Sequence, residues 1–182
     1  MKIIDLIKSR SSVRTFADKK VDRDLLLQCI EAARLAPSAE NAQPWRYVIL
    51  DDPEIKNETA KHAFSGIFAA TRWAAKAPVL VIIFARLDLI ANRLGRLATG
   101  IPYYLIDIGI SGEHFVLQAQ ELGLGTCWIG WFSAAGIKKA LKTPRSWRPV
   151  AMLAVGYPLH TEQREKKRRT LEEICTFNGT EK

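Results

Sequence analysis

The chain opens on an amphipathic stretch in which Ile3, Ile4, Leu6 and Ile7 recur at helical spacing, with Asp5 near the start, which predicts a short helix over 2–9. A 3.6-residue stripe of Leu25, Leu26, Cys29, Ile30, Ala33 and Leu35 stands behind the N-cap candidate Asp22, predicting a second helix over 22–35 that Pro37 stops. The polar loop from Pro37 to Trp45 leads into the strand-like Arg46–Leu50, and Asp51-Asp52-Pro53 makes a turn. Glu54 to Ala75 has helical composition, interrupted at Gly66. The run Val79-Leu80-Val81-Ile82-Ile83-Phe84 is apolar without alternation, as expected of a central strand covered on both faces. Residues 86–103 mix charge with Gly95, Gly100 and Pro102 and show no period; we read a helix and loop there, of the kind that varies with substrate.

From Tyr104 to Leu122 apolar positions surround the whole helix circumference, with Gly109, Ser111 and Gly112 among them. Such a helix is expected either deep in the core or packed against another backbone, such as a partner subunit. Gly123-Leu124-Gly125 ends it, Thr126–Phe132 reads as a strand entering a glycine turn, Ala134–Leu141 as a short helix, and Val150–Pro158 as a last strand. About four strands interleaved with helices predict a sheet covered on both faces, with strand direction left open.

At 182 residues the chain suits one domain over 1–182, and 48% apolar with 25% charged residues is the balance of a soluble globular protein. The longest apolar run, Ala77 to Ala85, is too short for a bilayer, and Asp5, Lys8 and Arg10 interrupt any signal-peptide core, so a cytoplasmic location is expected. Cys29, Cys127 and Cys175 form no C-x-x-C pair, and they and His62, His114 and His160 are too scattered for a metal site or a catalytic triad. The net charge of +8 calls for an anionic partner. Nucleic acid is unlikely, because no helix-turn-helix, finger or RNP-type strand accompanies the charge; a phosphate-bearing small molecule fits better.

The candidate phosphate set is Arg10-Ser11-Ser12-Val13-Arg14-Thr15-Phe16, two guanidiniums four residues apart with two hydroxyls between them. The second basic cluster, residues 166–169 with Arg168 and Arg169, could close over the same phosphate. Asn41 and Gln43 offer amide groups able to read a heterocycle edge, and Ile129-Gly130 brings a backbone without side chain to a strand end, where an N–H can approach a planar ring.

Together with Ala36–Trp45, Ala77–Val81, Leu122–Gly130, Gly156-Tyr157-Pro158 and Lys167–Ile174, in this order over nearly the whole chain, these motifs resemble the nitroreductase-like FMN flavoproteins. The resemblance implies an α+β, three-layer fold with a mixed, mostly antiparallel sheet between helices, in a homodimer with FMN at each end of the interface. It implies that Arg10, Ser11 or Ser12, and Arg168 or Arg169 hold the phosphate, and that Arg14 lies toward the pyrimidine side of the ring. Pro37, Ser38 and Asn41 would come from the other subunit, Ile129 and Gly130 would offer backbone near the reactive N5, and the 104–122 helix would form the dimer. The implied activity is hydride transfer from NADH or NADPH through FMN to a nitroaromatic, quinone or related acceptor by a ping-pong mechanism, with no catalytic side chain. The alternative is a flavin or nucleotide carrier that needs only the phosphate cradle. Two departures stand out: Ala39-Glu40 replaces a frequent Ser-Ser or Ser-Gly, and Trp131 occupies a common glycine position, where its bulk narrows the pocket or stacks on a substrate.

Overall fold

The computed structural model describes residues 2–86, 100–160 and 166–179. Most of the 86–103 segment, and Arg164 at the head of the basic tail, lie outside the described residues. Helix α1 (Ile3–Ser9) buries none of its side chains, and Ile3 is 71% exposed. Helix α2 (Arg23–Arg34) starts where Asp22 accepts the Asp24 N–H, and it buries Leu26, Cys29 and Ala33. After β1 (Trp45–Leu50), Asp52 caps α3 (Pro53–Ala63) by accepting from the N–H groups of Glu54 and Ile55, with Pro53 supplying a preset φ. The expected break falls at Gly66, whose φ of +56° turns the chain into a 3₁₀ stretch, Gly66–Lys76.

Strand β2 (Val79–Arg86) precedes α4 (Tyr103–Glu121), β3 (Gly125–Ile129), α5 (Ala134–Leu141), β4 (Trp147–Gly156) and the one-turn α6 (Leu171–Ile174). The sheet order is β1-β2-β4-β3, all three pairings are antiparallel, and among the described residues the one parallel element is the isolated bridge Ser12↔Thr126. The uninterrupted apolar run of β2 therefore reports coverage on both faces, not strand direction. Val79, Val81, Ile83 and Ala85 pack into one layer with Leu26 and Cys29 of α2 and Ile108 and Phe115 of α4. Leu80, Ile82 and Phe84 face the other layer, with Ala60 and Ala63 of α3, Phe64, and Ile137 of α5. Period-2 alternation sends successive side chains to opposite faces, so a strand between two helical layers must be apolar throughout. The result is the expected α+β three-layer arrangement.

Helix α4 resolves the two expectations placed on it. Its Ile108, Phe115, Val116 and Ala119 are core, and Gly112 is small because a Cβ there would strike the Trp128 ring. Ser111 satisfies its hydroxyl on the Ala33 carbonyl at 2.9 Å and on the Tyr47 hydroxyl at 2.8 Å. The flank of that core face carries Leu105 and Ile106, 44% and 49% exposed, and a Gly109 with open space beside it. Two of the three small residues thus serve packing within the chain, and one lies on an uncovered apolar side. Among the described residues no helix is long and apolar enough to cross a membrane.

Candidate functional site

Strand β3 lies at the edge of the sheet, and its free side gathers the N-terminal motif. The Val13 N–H donates to the Thr126 carbonyl at 2.9 Å, next to the Ser12↔Thr126 bridge. In an antiparallel pair, alternate residues turn both backbone groups toward the partner strand or away from it. Since Thr126 points away from β4, so do Trp128 and, by continuation, Gly130. The edge therefore offers outward backbone groups from Thr126 to Gly130, a run of roughly 13 Å at 3.3 Å per residue.

At the Thr126 end the cations converge. Arg10 is the C-cap residue of α1, its N–H bonded to the Leu6 carbonyl, and its Nε lies 3.9 Å from Glu113 on α4. Glu113 also accepts from the Trp128 indole at 3.4 Å, so the carboxylate ties the arginine to the edge strand. Ser12 and Arg14 are exposed. Burial pushes the Cys127 thiol up, opposed by the positive field of Arg14, a hydrogen bond from Ser12 and the field of Arg10, so the charge of both arginines reaches the edge strand.

The tail reaches the same place through Lys166, the first residue of the basic cluster at 166–169. Lys166 donates to the carbonyls of Ile7 and Lys8 at 3.1 and 2.5 Å, satisfying acceptors left open at the end of α1. Desolvation lowers its pKa, and the neighbouring charges of Arg10 and Arg168 add to that effect. Arg168 and Arg10 are thus both near enough for their charge to act on Lys166, and Arg168 and Arg169 are both exposed. The cluster of Arg10, Arg14, Lys166 and Arg168 has Glu113 as its ion-pair partner among the described residues, an excess of positive charge suited to a phosphate. Ser11 is half-buried, while Ser12 is the hydroxyl placed at the cluster.

At the other end of the edge, Ile129 turns its side chain into the core, and Gly130 is exposed with no atom within 4 Å of where a Cβ would stand. Packing within the chain does not demand a glycine there. Trp131 is fastened to the 3₁₀ stretch: its indole N–H donates to the Ile67 carbonyl at 2.9 Å, its own carbonyl accepts from the Thr71 hydroxyl at 2.7 Å, and its ring lies 5.2 Å from that of Phe68. The same stretch carries Trp73, whose ring centre is 5.9 Å from the Arg14 guanidinium. Sequence reasoning missed residues 67–73 as part of the site. The available signal was the loss of helical period after Gly66 together with the aromatics Phe68 and Trp73.

The loop bearing Pro37, Ser38, Asn41 and Gln43 stands apart. Glu40, Asn41 and Gln43 all have positive φ, 51°, 52° and 45°. The conformation is held from within, by Gln43 N–H to the Ser38 hydroxyl at 2.9 Å and the Gln43 amide to Asn41 Oδ1 at 3.0 Å. It is anchored by the Ala39 N–H on Asp107 Oδ1 at 3.0 Å. Asp107 is buried, its other oxygen has no hydrogen-bond partner among the described residues, and desolvation raises its pKa. Asp107 and Glu113 are six residues apart on α4, about 9 Å along its axis. Among the described residues no hydrogen bond or ion pair joins the loop to the arginine cluster. The chain alone presents two patches: Arg10, Ser12, Arg14, Arg168 and Ile129-Gly130 along the β3 edge, and Pro37–Gln43 at the start of α4.

Comparison with known proteins completes the description. A solved nitroreductase family protein from Clostridium novyi NT is 33% identical, with 90% of each chain covered and a TM-score of 0.77. A BluB-like flavoprotein from Clostridium difficile 630 is 25% identical over 98% of this chain and 100% of that one, with a TM-score of 0.80. An NADPH-dependent oxidoreductase of Staphylococcus haemolyticus is 26% identical over 176 residues, which cover 92% of this chain and 69% of that protein. The profile described as the Nitroreductase family matches residues 7–157, and over that span, with this fold and this ordered set of motifs, the chain belongs to the nitroreductase family.

Proposed function

We propose that the protein is an FMN-dependent oxidoreductase that takes a hydride from NADH or NADPH and delivers two electrons to a planar organic acceptor in a ping-pong cycle. The observation that carries this reading is the β3 edge, with a cationic cluster at one end and the outward backbone of Gly130 at the other. Arg10, Ser12 and Arg168 would hold the phosphate; Arg14 would stand toward the pyrimidine of the ring, and the Gly130 N–H would face its N5 position. Bound FMN would supply the electron relay, with nucleotide + H⁺ + quinone giving oxidised nucleotide + hydroquinone overall. What the chain does is position and bias: a guanidinium near the pyrimidine stabilises negative charge there, and a fixed N–H orients the ring without having to reorganise. The relative described as a flavoprotein supports the cofactor, and the one described as NADPH-dependent supports the donor.

The test is anaerobic. Protein reconstituted with FMN should lose its flavin colour on addition of NADPH or NADH and regain it on addition of a quinone or nitroaromatic. If dithionite bleaches the flavin but neither nucleotide does, the reductase reading fails and a carrier takes its place. A colourless protein that takes up no added FMN removes both.

A homodimer belongs to the same reading. Ile3, Ile4 and Ile7 of α1, and Leu105 and Ile106 of α4, are large apolar side chains that a lone subunit leaves in water. Covering them with a second copy would give the Pro37–Gln43 loop a route to its partner's arginine cluster, from which it is separate within one chain. Sedimentation of the FMN-loaded protein at micromolar concentration should give about twice the 20.4 kDa chain mass. A stable loaded monomer would overturn the shared site.

A further inference from the structure

Trp131 is exposed yet immobilised. Half of its surface, 52%, is open to solvent, and large aromatics on a surface ordinarily keep rotamer freedom unless something holds them. Here the indole N–H, the residue's own carbonyl and the ring are each engaged, by Ile67, Thr71 and a tilted Phe68. The next residue but one is also fixed, the Ser133 N–H donating to the Ala63 carbonyl at 2.8 Å. All these partners sit on or beside the 3₁₀ stretch whose Trp73 meets Arg14, so the ring is braced against the same element that touches the arginine motif. Gly130, directly before it, leaves open space over the strand edge.

We propose that Trp131, backed by Phe68 and held by Thr71, is a rigid stacking wall that favours planar aromatic acceptors over acceptors that need no stacking. This rests on the FMN reading above and assigns the residue that discriminates among acceptors at that site. Trp131 touches the acceptor; Thr71 acts through it, as a positioning residue. An offset stacked ring pair contributes about 0.5–1.5 kcal/mol, a factor of roughly two to thirteen in binding.

The experiment uses FMN-loaded protein, with wild type, Trp131→Leu and Thr71→Val compared side by side. Calorimetric titration of the oxidised proteins with 4-nitrobenzoate, without any reductant, should give a dissociation constant five- to tenfold weaker in Trp131→Leu and two- to threefold weaker in Thr71→Val. In stopped flow, dithionite-reduced proteins are reoxidised by 4-nitrobenzoate or by ferricyanide, which needs no stacking. The ratio of the two rates should fall by the same factors. For Thr71→Val the loss should lie in the concentration of 4-nitrobenzoate giving half-maximal rate, with the maximal rate unmoved. An unchanged dissociation constant, or an unchanged rate ratio, overturns the wall. So does a loss of dimer mass in Trp131→Leu, which would assign the indole to the subunit interface. FMN retention, read by absorbance before either measurement, tests the cofactor reading separately: a wild-type protein that holds no FMN fails there, not at Trp131.

Discussion

Arg10→Ala is expected to weaken FMN binding by one to two decades. The guanidinium is mostly covered, with 19% of its side chain exposed, and its one ion-pair contact is long, 3.9 Å to a half-exposed Glu113. A cation so placed keeps most of its hydrogen-bonding capacity for another anion, and a charge-assisted contact to phosphate is worth about 1.5–3 kcal/mol. Titrating apoprotein with FMN measures the change directly, and the difference should shrink as salt screens the exposed parts of the cluster. Arg168→Ala should follow in the same direction, because the charge of Arg168, like that of Arg10, acts on Lys166. Arg169→Ala should leave the dissociation constant within a factor of two. If Arg10→Ala binds FMN as tightly as the parent chain, the phosphate is held elsewhere. Circular dichroism of the variant guards against misfolding, and little is expected, since α1 buries no side chain.

How much of this was legible beforehand follows from the physics of each element. Helices with one buried stripe and a cap announce themselves: α2 was readable to within a residue at each end because Asp22 and the Leu26-Cys29-Ala33 stripe act together. The two-faced burial of β2 was also legible, but its antiparallel pairing was not. A strand between two helical layers is apolar throughout whichever way its neighbours run, and only the family resemblance supplied the direction. The start of β4 at Trp147 escaped notice because Arg148 and Pro149 interrupt the apolar pattern, and Pro149 sits where the register with β2 slips between Ile83 and Phe84.

The site was half legible. The arginines and the Ser11-Ser12 pair could be named because charge and hydroxyls in a short span have few other uses. Lys166 was legible as a member of the basic cluster at 166–169, but its bonds were not: they reach carbonyls at the end of a helix more than 150 residues earlier, and a lysine in a basic tail carries no local sign of that. The 67–73 stretch was hidden for a related reason. Its Thr71 and Phe68 matter through Trp131, about sixty residues on, and a 3₁₀ segment has no amphipathic period to mark a face. Three positive φ angles in the Pro37–Gln43 loop were equally unreadable, since Asn tolerates that region but Glu and Gln do so only when their surroundings hold them. Here those surroundings are the Ser38 hydroxyl and the buried Asp107 carboxylate.

The tether between the N-terminal motif and β3 predicts that a single methyl group should damage both stability and cofactor binding. A Cβ on Gly125 would stand 2.7 Å from Val13 Cγ2, 2.9 Å from Val13 Cβ and 3.0 Å from Pro158 Cγ. None of these atoms is the free end of a flexible chain: valine is stiff at χ1, its Cβ moves only with the backbone, and a proline ring hardly yields. In Gly125→Ala the Val13 segment must move off the strand edge, weakening the Val13 N–H bond to Thr126 and displacing the residues on either side, Ser12 and Arg14. Overpacking of this kind costs about 1–3 kcal/mol, or roughly 2–12 °C in Tm for a chain of this length. FMN affinity should fall as well, although the alanine itself touches no proposed ligand. Val13→Gly in the same chain removes both clashing valine atoms, so the double variant should recover part of the lost Tm and FMN affinity, and the cycle of single and double variants should show coupling. A Gly125→Ala protein with lowered Tm but undiminished FMN affinity would mean that residues 12–14 reach the cofactor without help from β3. One with neither change would mean that Val13 gives way freely.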